Sequence, residues 1–171
     1  MDEFELTYLP RSLPKGVFDS PSKELLDIYV PVSAEHPSLR IRRSGAKCEI
    51  TKKVPAHEGD ASHQTETTVP LTAEEYVDFE AILGKRVAKT RYYYAENGHG
   101  YEVDVFKDAL KGLVLVDIEF ASAEEKAAFR PPEWFLAEVT QQHFTAGGML
   151  CGKRYADIEG ELKKFGYTAL A

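Results

Sequence analysis

The clearest pattern in the chain is an alternation of charged and apolar residues that recurs in three neighbouring segments. The charged positions are Lys89 and Arg91, then Glu102 and Asp104, then Asp117 and Glu119. Because successive side chains of a β-strand point to opposite faces, each pair shares one face of its strand. The pattern therefore predicts three neighbouring strands with a common charged face of mixed sign.

Shorter stretches of the same kind predict strands through most of the chain. We expect eight strands, near residues 3–8, 25–32, 39–43, 48–54, 65–69, 86–95, 101–106 and 113–120. Asn97 and Gly98 tolerate positive φ, so they predict a tight hairpin between the sixth and seventh strands. The short turns favour a mostly antiparallel sheet.

Helical periodicity appears mainly in the spaces around these strands. The first predicted helix runs from about Thr72 to Leu83; Thr72 and Glu75 form a capping box, and the apolar stripe is Tyr76, Phe79, Ile82 and Leu83. A short second helix can begin at a cap on Ser122, and a third can begin at Pro131-Pro132 and continue through Trp134, Leu136 and Val139. The last predicted helix runs from about Arg154 to Phe165. Gly147-Gly148 is expected to break the chain before the last one.

The amphipathic helices need an apolar sheet face to pack on. If Val103, Val105, Ile118 and Phe120 lie beneath them, the charged faces are left pointing at one another across a closed sheet. The alternative is that the charged faces point to water, as in most antiparallel sheets. Periodicity alone does not decide between these arrangements.

Composition limits what the charged face can belong to. A chain of 171 residues that is 43% hydrophobic is long enough for a single domain, residues 1–171, with its own core. A net charge of −7 argues against a general nucleic-acid binder or a binder of acidic membranes. The start of the chain is acidic and no long apolar run occurs, so we expect a soluble, cytoplasmic protein.

Cysteine and histidine give no metal or nucleophile signature. Cys48 and Cys151 have no ligand-like spacing, which favours free thiols in a reducing compartment. The histidines show no HxxxH or triad spacing, and each is expected to be a surface residue: His36, His57, His63, His99 and His143.

The charged motifs, taken together and in order, resemble the CYTH family, also called triphosphate tunnel metalloenzymes. They are Glu3-Phe4-Glu5, Leu39-Arg40-Ile41-Arg42, the segment from Glu49 to Lys53, Glu66 followed by Pro70, Lys89-Thr90-Arg91, the segment from Glu102 to Phe106, and Asp117-Ile118-Glu119. The resemblance spans about residues 3–150 and leaves 151–171 as a C-terminal helix of unassigned role. It implies an α+β fold, an antiparallel eight-stranded closed β-barrel with peripheral helices, whose lumen binds a triphosphate and divalent cations.

The residue types suit that chemistry. Basic side chains neutralise phosphate oxygens, and the candidates for substrate binding are Arg40, Arg42, Lys53, Lys89 and Arg91. Mg²⁺ or Mn²⁺ takes carboxylate oxygens, and the candidate ligands are Glu3, Glu5, Glu66, Asp104, Asp117 and Glu119. By resemblance, Glu3, Glu5 and Glu119 hold the ion that bridges the phosphates. Glu66, Asp104 and Asp117 then lie near a second ion and take the catalytic role of positioning the attacking water.

Two positions depart from the family's pattern. Thr7 stands where the family has a lysine thought to contact the triphosphate, and Asp117 stands where a glutamate is usual. The resemblance as a whole nevertheless implies a metal-dependent triphosphatase acting on a small-molecule triphosphate, and we expect a monomer or homodimer that binds neither nucleic acid nor membrane. A class IV-type adenylate cyclase and a non-catalytic polyphosphate or nucleotide binder remain as alternatives.

Overall fold

A computed structural model describes residues 2–170 of the chain. Within this range the strands are β1 (Asp2–Pro10), β2 (Ser22–Val30), β3 (Leu39–Ser44), β4 (Lys47–Pro55), β5 (His63–Leu71), β6 (Lys85–Glu96), β7 (His99–Phe106), β8 (Val114–Phe120) and β9 (Phe135–Glu138). The α-helices are α1 (Ala73–Glu80), α2 (Ala123–Ala128), α3 (Gly147–Leu150) and α4 (Tyr155–Lys164). All eight predicted strands are present, extended by one to three residues at most of their ends.

Eight of the strands close into an antiparallel barrel. The hydrogen-bonded order is β5-β4-β3-β2-β6-β7-β8-β1-β9, and β1 also pairs with β5. The closing contact joins Asp2 to Thr65 and Phe4 to His63, while the next part of β1 pairs with β8. The predicted α+β fold with a closed antiparallel barrel is confirmed.

Local signals in the sequence account for two of the connections. Asn97 and Gly98 both have positive φ, 52° and 82°, as a tight turn between β6 and β7 requires. Thr72 caps α1: its hydroxyl accepts from the backbone N–H of Glu75, and the Glu75 carboxylate accepts from the N–H of Thr72. The capping box predicted from the sequence is therefore confirmed.

Helix α1 is shorter than predicted. It ends at Glu80, and Leu83, which the periodicity placed on the buried stripe, is 78% exposed. The next residue, Gly84, passes so close to β2 that a Cβ there would lie 3.0 Å from the carbonyl oxygen of Tyr29. The chain has to leave the helix early because it must make this approach before entering β6.

The predicted helix after Pro131-Pro132 is wrong, because β9 occupies this segment. β5 covers only the start of β1 on one side, which leaves the backbone of Tyr8 and Leu9 open on that edge. β9 pairs there, with Tyr8 opposite Glu138 and Leu9 opposite Ala137. Unpaired backbone groups at a sheet edge favour an added strand over a helix, and this demand is not visible in local periodicity.

Apolar residues form clusters outside the barrel and at one of its ends. Val103 and Ile118 are fully buried in an outer cluster with Phe129 of the segment after α2 and Phe135 of β9. Helix α2 buries none of its residues, so this side is covered by connecting segments and β9 and not, as expected, by helices. Ile158 and Leu162 of α4 are buried in a second cluster, so the predicted C-terminal helix is present and packs on the core. No helix within residues 2–170 is long and apolar enough to span a membrane.

Candidate active site

The barrel encloses a cavity of about 860 Å³. All the residues predicted to bind substrate or metal line it: Glu3, Glu5, Arg40, Arg42, Lys53, Glu66, Lys89, Arg91, Asp104, Asp117 and Glu119. The charged faces of the strands therefore point inward, towards one another, and not to bulk water. Of the two arrangements left open by periodicity, the structure has the charged tunnel.

Three carboxylates converge where β1 meets β8. Glu5 and Glu119 are directly opposite in the strand register, and Glu3 lies two residues before Glu5 on the same face. One oxygen from each of Glu3, Glu5 and Glu119 lies within 4.8 Å of the others. Hard oxygen donors this close together can hold a divalent cation.

Electrostatics indicate that this acidic cluster lacks sufficient positive charge from the protein itself. Burial, with the charges of Asp117 and Glu3, raises the pKa of Glu5 to about 7, even though Lys53 and Arg91 oppose the shift. Burial and Glu3 also raise the pKa of Glu119. A cation bound between these carboxylates would favour their ionised forms.

Lys53 is the basic residue nearest to the cluster. Its Nζ lies 2.6 Å from Glu3 Oε2, 3.8 Å from Glu5 Oε2 and 3.5 Å from Glu66 Oε2. Glu66 also accepts a hydrogen bond of 2.7 Å from the hydroxyl of Thr68 on the same strand. Lys53 therefore links the carboxylates of β1 to the carboxylate of β5.

A second group of charges is centred on Asp104, which is 1% exposed. Arg91 lies opposite it in the register and donates two hydrogen bonds of 2.7 Å, from Nε to Oδ1 and from Nη2 to Oδ2. Lys89 also contacts Asp104, and Arg91 contacts Glu102. Burial alone would raise the pKa of Asp104, but the Arg91 and Lys89 charges outweigh it and hold that pKa well below its usual range.

Asp27 supports a third group and was not among the predicted site residues. It lies opposite Arg42 in the register of β2 and β3 and is 2% exposed. Arg42 donates to both of its oxygens, at 2.6 Å and 2.7 Å. The signal in the sequence is an aspartate inside the aliphatic segment Leu25–Val30, because a charge on a buried strand requires a partner.

Arg40 has spare hydrogen-bonding capacity at the cavity wall. Its Nε is buried, and no group among residues 2–170 accepts a hydrogen bond from it. A buried donor without an acceptor costs free energy, which a phosphate oxygen could recover on binding.

Thr7 lies two residues after Glu5 on the same face of β1, and opposite Asp117 of β8. Its hydroxyl donates a hydrogen bond of 2.8 Å to Asp117 Oδ1, directly opposite in the register. The other oxygen of Asp117 is 3.4 Å from Nη2 of Arg91. Thr7 therefore holds the carboxylate of Asp117 by one oxygen and leaves the other near the Arg91 side of the cavity.

Residues from the C-terminal third of the chain border the cavity at one end, which the sequence did not indicate. They are Thr140, Gln141, Gln142, His143, Thr145, Ala146, Gly147, Gly148 and Leu150. Gly147 and Gly148 do not break the chain but begin α3. No residue of α4 lines the cavity.

Comparisons with known proteins agree with this architecture. The chain is 35% identical over 143 residues to an inorganic triphosphatase of Nitrosomonas europaea, an alignment that covers 82% of this chain and 91% of that protein. It is 30% identical over 132 residues to an inorganic triphosphatase of Acetivibrio thermocellus, covering 76% of this chain and 77% of that one. A crystal structure of an inorganic triphosphatase superposes with a TM-score of 0.62 at 28% identity, covering 87% of this chain and 93% of that one. No family model matches the sequence.

Proposed function

The chain belongs to the inorganic triphosphatase family, and from this premise we propose that it hydrolyses a phosphoanhydride bond of inorganic tripolyphosphate inside its barrel. We assign it to the CYTH group, with residues 1–171 acting as one catalytic unit. One observation carries the proposal most directly: a single cavity holds both the carboxylate cluster of Glu3, Glu5 and Glu119 and the basic side chains of β3, β4 and β6. A polyanion that binds together with divalent cations needs both.

The carboxylate cluster fits Mg²⁺ or Mn²⁺. The donors of Glu3, Glu5 and Glu119 are all hard oxygens, and the raised pKa of Glu5 shows how poorly the protein alone compensates their charge. A bound divalent ion would supply neutralisation of phosphate charge and activation of water. Glu66 and Asp117 are proposed to support a second ion. Asp104, which the resemblance also assigned to that ion, is proposed instead to position Lys89 and Arg91, because these two residues donate to both of its oxygens.

The protein's own groups have two roles in this proposal. Arg40, Lys53, Lys89 and Arg91 bind and orient the phosphate oxygens, and they stabilise the negative charge that develops as the bond breaks. Asp104 holds Lys89 and Arg91 in place, because both of its oxygens already accept hydrogen bonds from them.

The remaining groups hold the reacting partners in position. Arg42 is fixed by Asp27 and contributes positive charge to the phosphate site. The oxygen of Asp117 that faces Arg91, with only a long contact of 3.4 Å to its Nη2, is proposed to orient the attacking water.

The test is release of phosphate from tripolyphosphate, ATP and thiamine triphosphate, each with Mg²⁺, Mn²⁺ or EDTA. We expect fastest release from tripolyphosphate, dependence on the divalent ion, and at least about a hundredfold loss of kcat/KM in the Glu5→Gln, Glu119→Gln double variant. Glu74→Gln, on the exposed side of α1, is the matched control and should behave as the unaltered protein.

Other outcomes point to the two alternatives. Formation of cyclic AMP from ATP without phosphate release from tripolyphosphate would replace the hydrolase by a cyclase. Binding of tripolyphosphate with neither product would identify a binding protein. In that case Thr7→Lys, which restores the basic residue of the family pattern, should create turnover.

A further inference from the structure

Residues 139–150, called the strap below, cross one end of the barrel. β2 and β4 run in the same direction because one antiparallel strand, β3, lies between them. The β2–β3 and β4–β5 connections therefore leave the barrel at the same end. The strap contacts both connections, and its first residue donates a backbone hydrogen bond of 2.8 Å to the carbonyl oxygen of Thr7 in β1.

Side chains fasten the strap to the two connections. Gln141 accepts a hydrogen bond of 3.0 Å from the backbone N–H of Ala61 and donates one of 3.0 Å to Asp60. On the other side, Nε2 of His143 lies 3.1 Å from Nδ1 of His36.

The strap backbone also packs directly on the barrel. A Cβ on Gly148 would collide with the His36 ring and the carbonyl oxygen of Pro37, and a Cβ on Gly147 would collide with the hydroxyl of Tyr29. Only glycine at both positions allows the strap backbone to come this close to Tyr29, His36 and Pro37.

The end of the barrel under the strap is filled with apolar side chains. Val139 and Leu150 of the strap are each 1% exposed and belong to the same cluster as Val87, Phe106 and Leu115. Those three residues also line the cavity. A phosphate chain cannot thread through an apolar plug, because burying charged oxygens without partners is strongly unfavourable.

We propose that the strap is the specificity element that limits the length of the phosphate chain the cavity accepts. This rests on the proposed triphosphatase function. The substrate enters from the opposite end and stops at the strap, so only a short chain places all its phosphates among the basic side chains. Further phosphates of a longer chain lie outside the cavity, beside a protein of net charge −7.

The test compares Gly148→Ala with Gly160→Ala. The added methyl group in Gly148→Ala must displace the strap from Pro37, whereas a Cβ on Gly160, in α4, meets nothing within 4 Å. The readout is kcat/KM for tripolyphosphate and for a long-chain polyphosphate at equal Mg²⁺. We expect the unaltered protein and Gly160→Ala to prefer tripolyphosphate, and Gly148→Ala to raise the long-chain to tripolyphosphate ratio at least about tenfold.

A purely structural strap would lower both values by the same factor and leave the ratio unchanged, which would overturn the proposal. Equal rates on both substrates in the unaltered protein would overturn it too. If Gly148→Ala does not fold, the double variant Gln141→Ala, His143→Ala is tested in its place. It removes the side-chain contacts of the strap with both connections, and the same ratio of long-chain to tripolyphosphate kcat/KM is measured. Failure of the unaltered protein to cleave tripolyphosphate would instead contradict the proposed function.

Discussion

Thr7 shows how a single hydroxyl can position a carboxylate in a crowded site. It donates to one oxygen of Asp117, and its backbone N–H donates 3.1 Å to the hydroxyl of Thr140. Valine has almost the same shape and keeps the backbone bond, so Thr7→Val removes only the bond to Asp117. A hydrogen bond to a charged group contributes about 1.5–3 kcal/mol, so we expect kcat with tripolyphosphate to fall about tenfold or more with little change in KM.

The matched control for this prediction is Thr7→Ser, which keeps the hydroxyl and loses a methyl group. It should recover most of the activity. The concentration of Mg²⁺ required for half-maximal activity should rise in the valine variant and remain normal in the serine variant. Equal kinetics of the two variants would show that Thr7 has no positioning role.

Cross-strand pairing of β2 and β3 produces the buried pair of Asp27 and Arg42. Burial raises the pKa of Asp27, but the Arg42 charge and hydrogen bonds outweigh it and bring the pKa down to about 2. A carboxylate with a lowered pKa in the folded state stabilises the fold above its unfolded pKa, near 4, and this stabilisation is lost as the pH falls towards 2. Removing one partner also leaves a buried charge unpaired.

Asp27→Asn should therefore lower the free energy of unfolding by about 3 kcal/mol at pH 7. Urea unfolding at pH 7, 5, 4 and 3 measures this. The difference from the unaltered protein should be constant between pH 7 and 5 and shrink below about pH 4, where the Asp27 carboxylate of the unfolded chain becomes protonated while that of the native state is still ionised. Asp78→Asn, at an exposed position of α1, should show no such dependence, and a difference that persists undiminished at pH 3 would contradict the argument.

Elements whose role is local were predictable from the sequence. The alternation of charged and apolar residues shows which side chains share a face of a strand. Thr72 specifies the cap of α1, and Asn97-Gly98 specifies the turn between β6 and β7, through neighbours only a few residues away. The resemblance added what alternation could not, namely that the charged faces point into a closed barrel. The resemblance therefore predicted which charged residues line the cavity.

The elements that escaped prediction depend on distant parts of the chain. β9 forms because one edge of β1 is open, and the strap lies where it does because Gly147 and Gly148 can touch Tyr29 and His36. Asp27 was missed because its partner, Arg42, is 15 residues away. None of these relations leaves a periodic signal, so local patterns do not reveal which parts of the chain meet; even the unusual aspartate in the aliphatic segment of β2 does not identify its partner.

At the scale of the whole molecule, the cavity concentrates negative charge inside the fold. Among the side chains described, those of residues 3–170, six basic and ten acidic ones line it. Such an excess destabilises the native state unless cations bind, and a ligand that binds only the native state stabilises it by about 2.7 kcal/mol at a hundred times its Kd. We therefore expect saturating Mg²⁺ or Mn²⁺, without substrate, to raise the melting temperature above that in EDTA by about 5–10 °C.

The Glu5→Gln, Glu119→Gln double variant separates the carboxylate cluster from the rest of the cavity. It removes two carboxylates whose pKa values are raised by burial and neighbouring negative charge. Raised pKa values mean that ionisation of these groups opposes folding increasingly as the pH rises above their ordinary pKa, so at neutral pH in EDTA the variant should melt at a higher temperature than the unaltered protein. It should also lose most of the shift produced by Mg²⁺, whereas Glu74→Gln should keep it. An equal Mg²⁺ shift in the double variant and in Glu74→Gln would place the stabilising ion away from Glu3, Glu5 and Glu119.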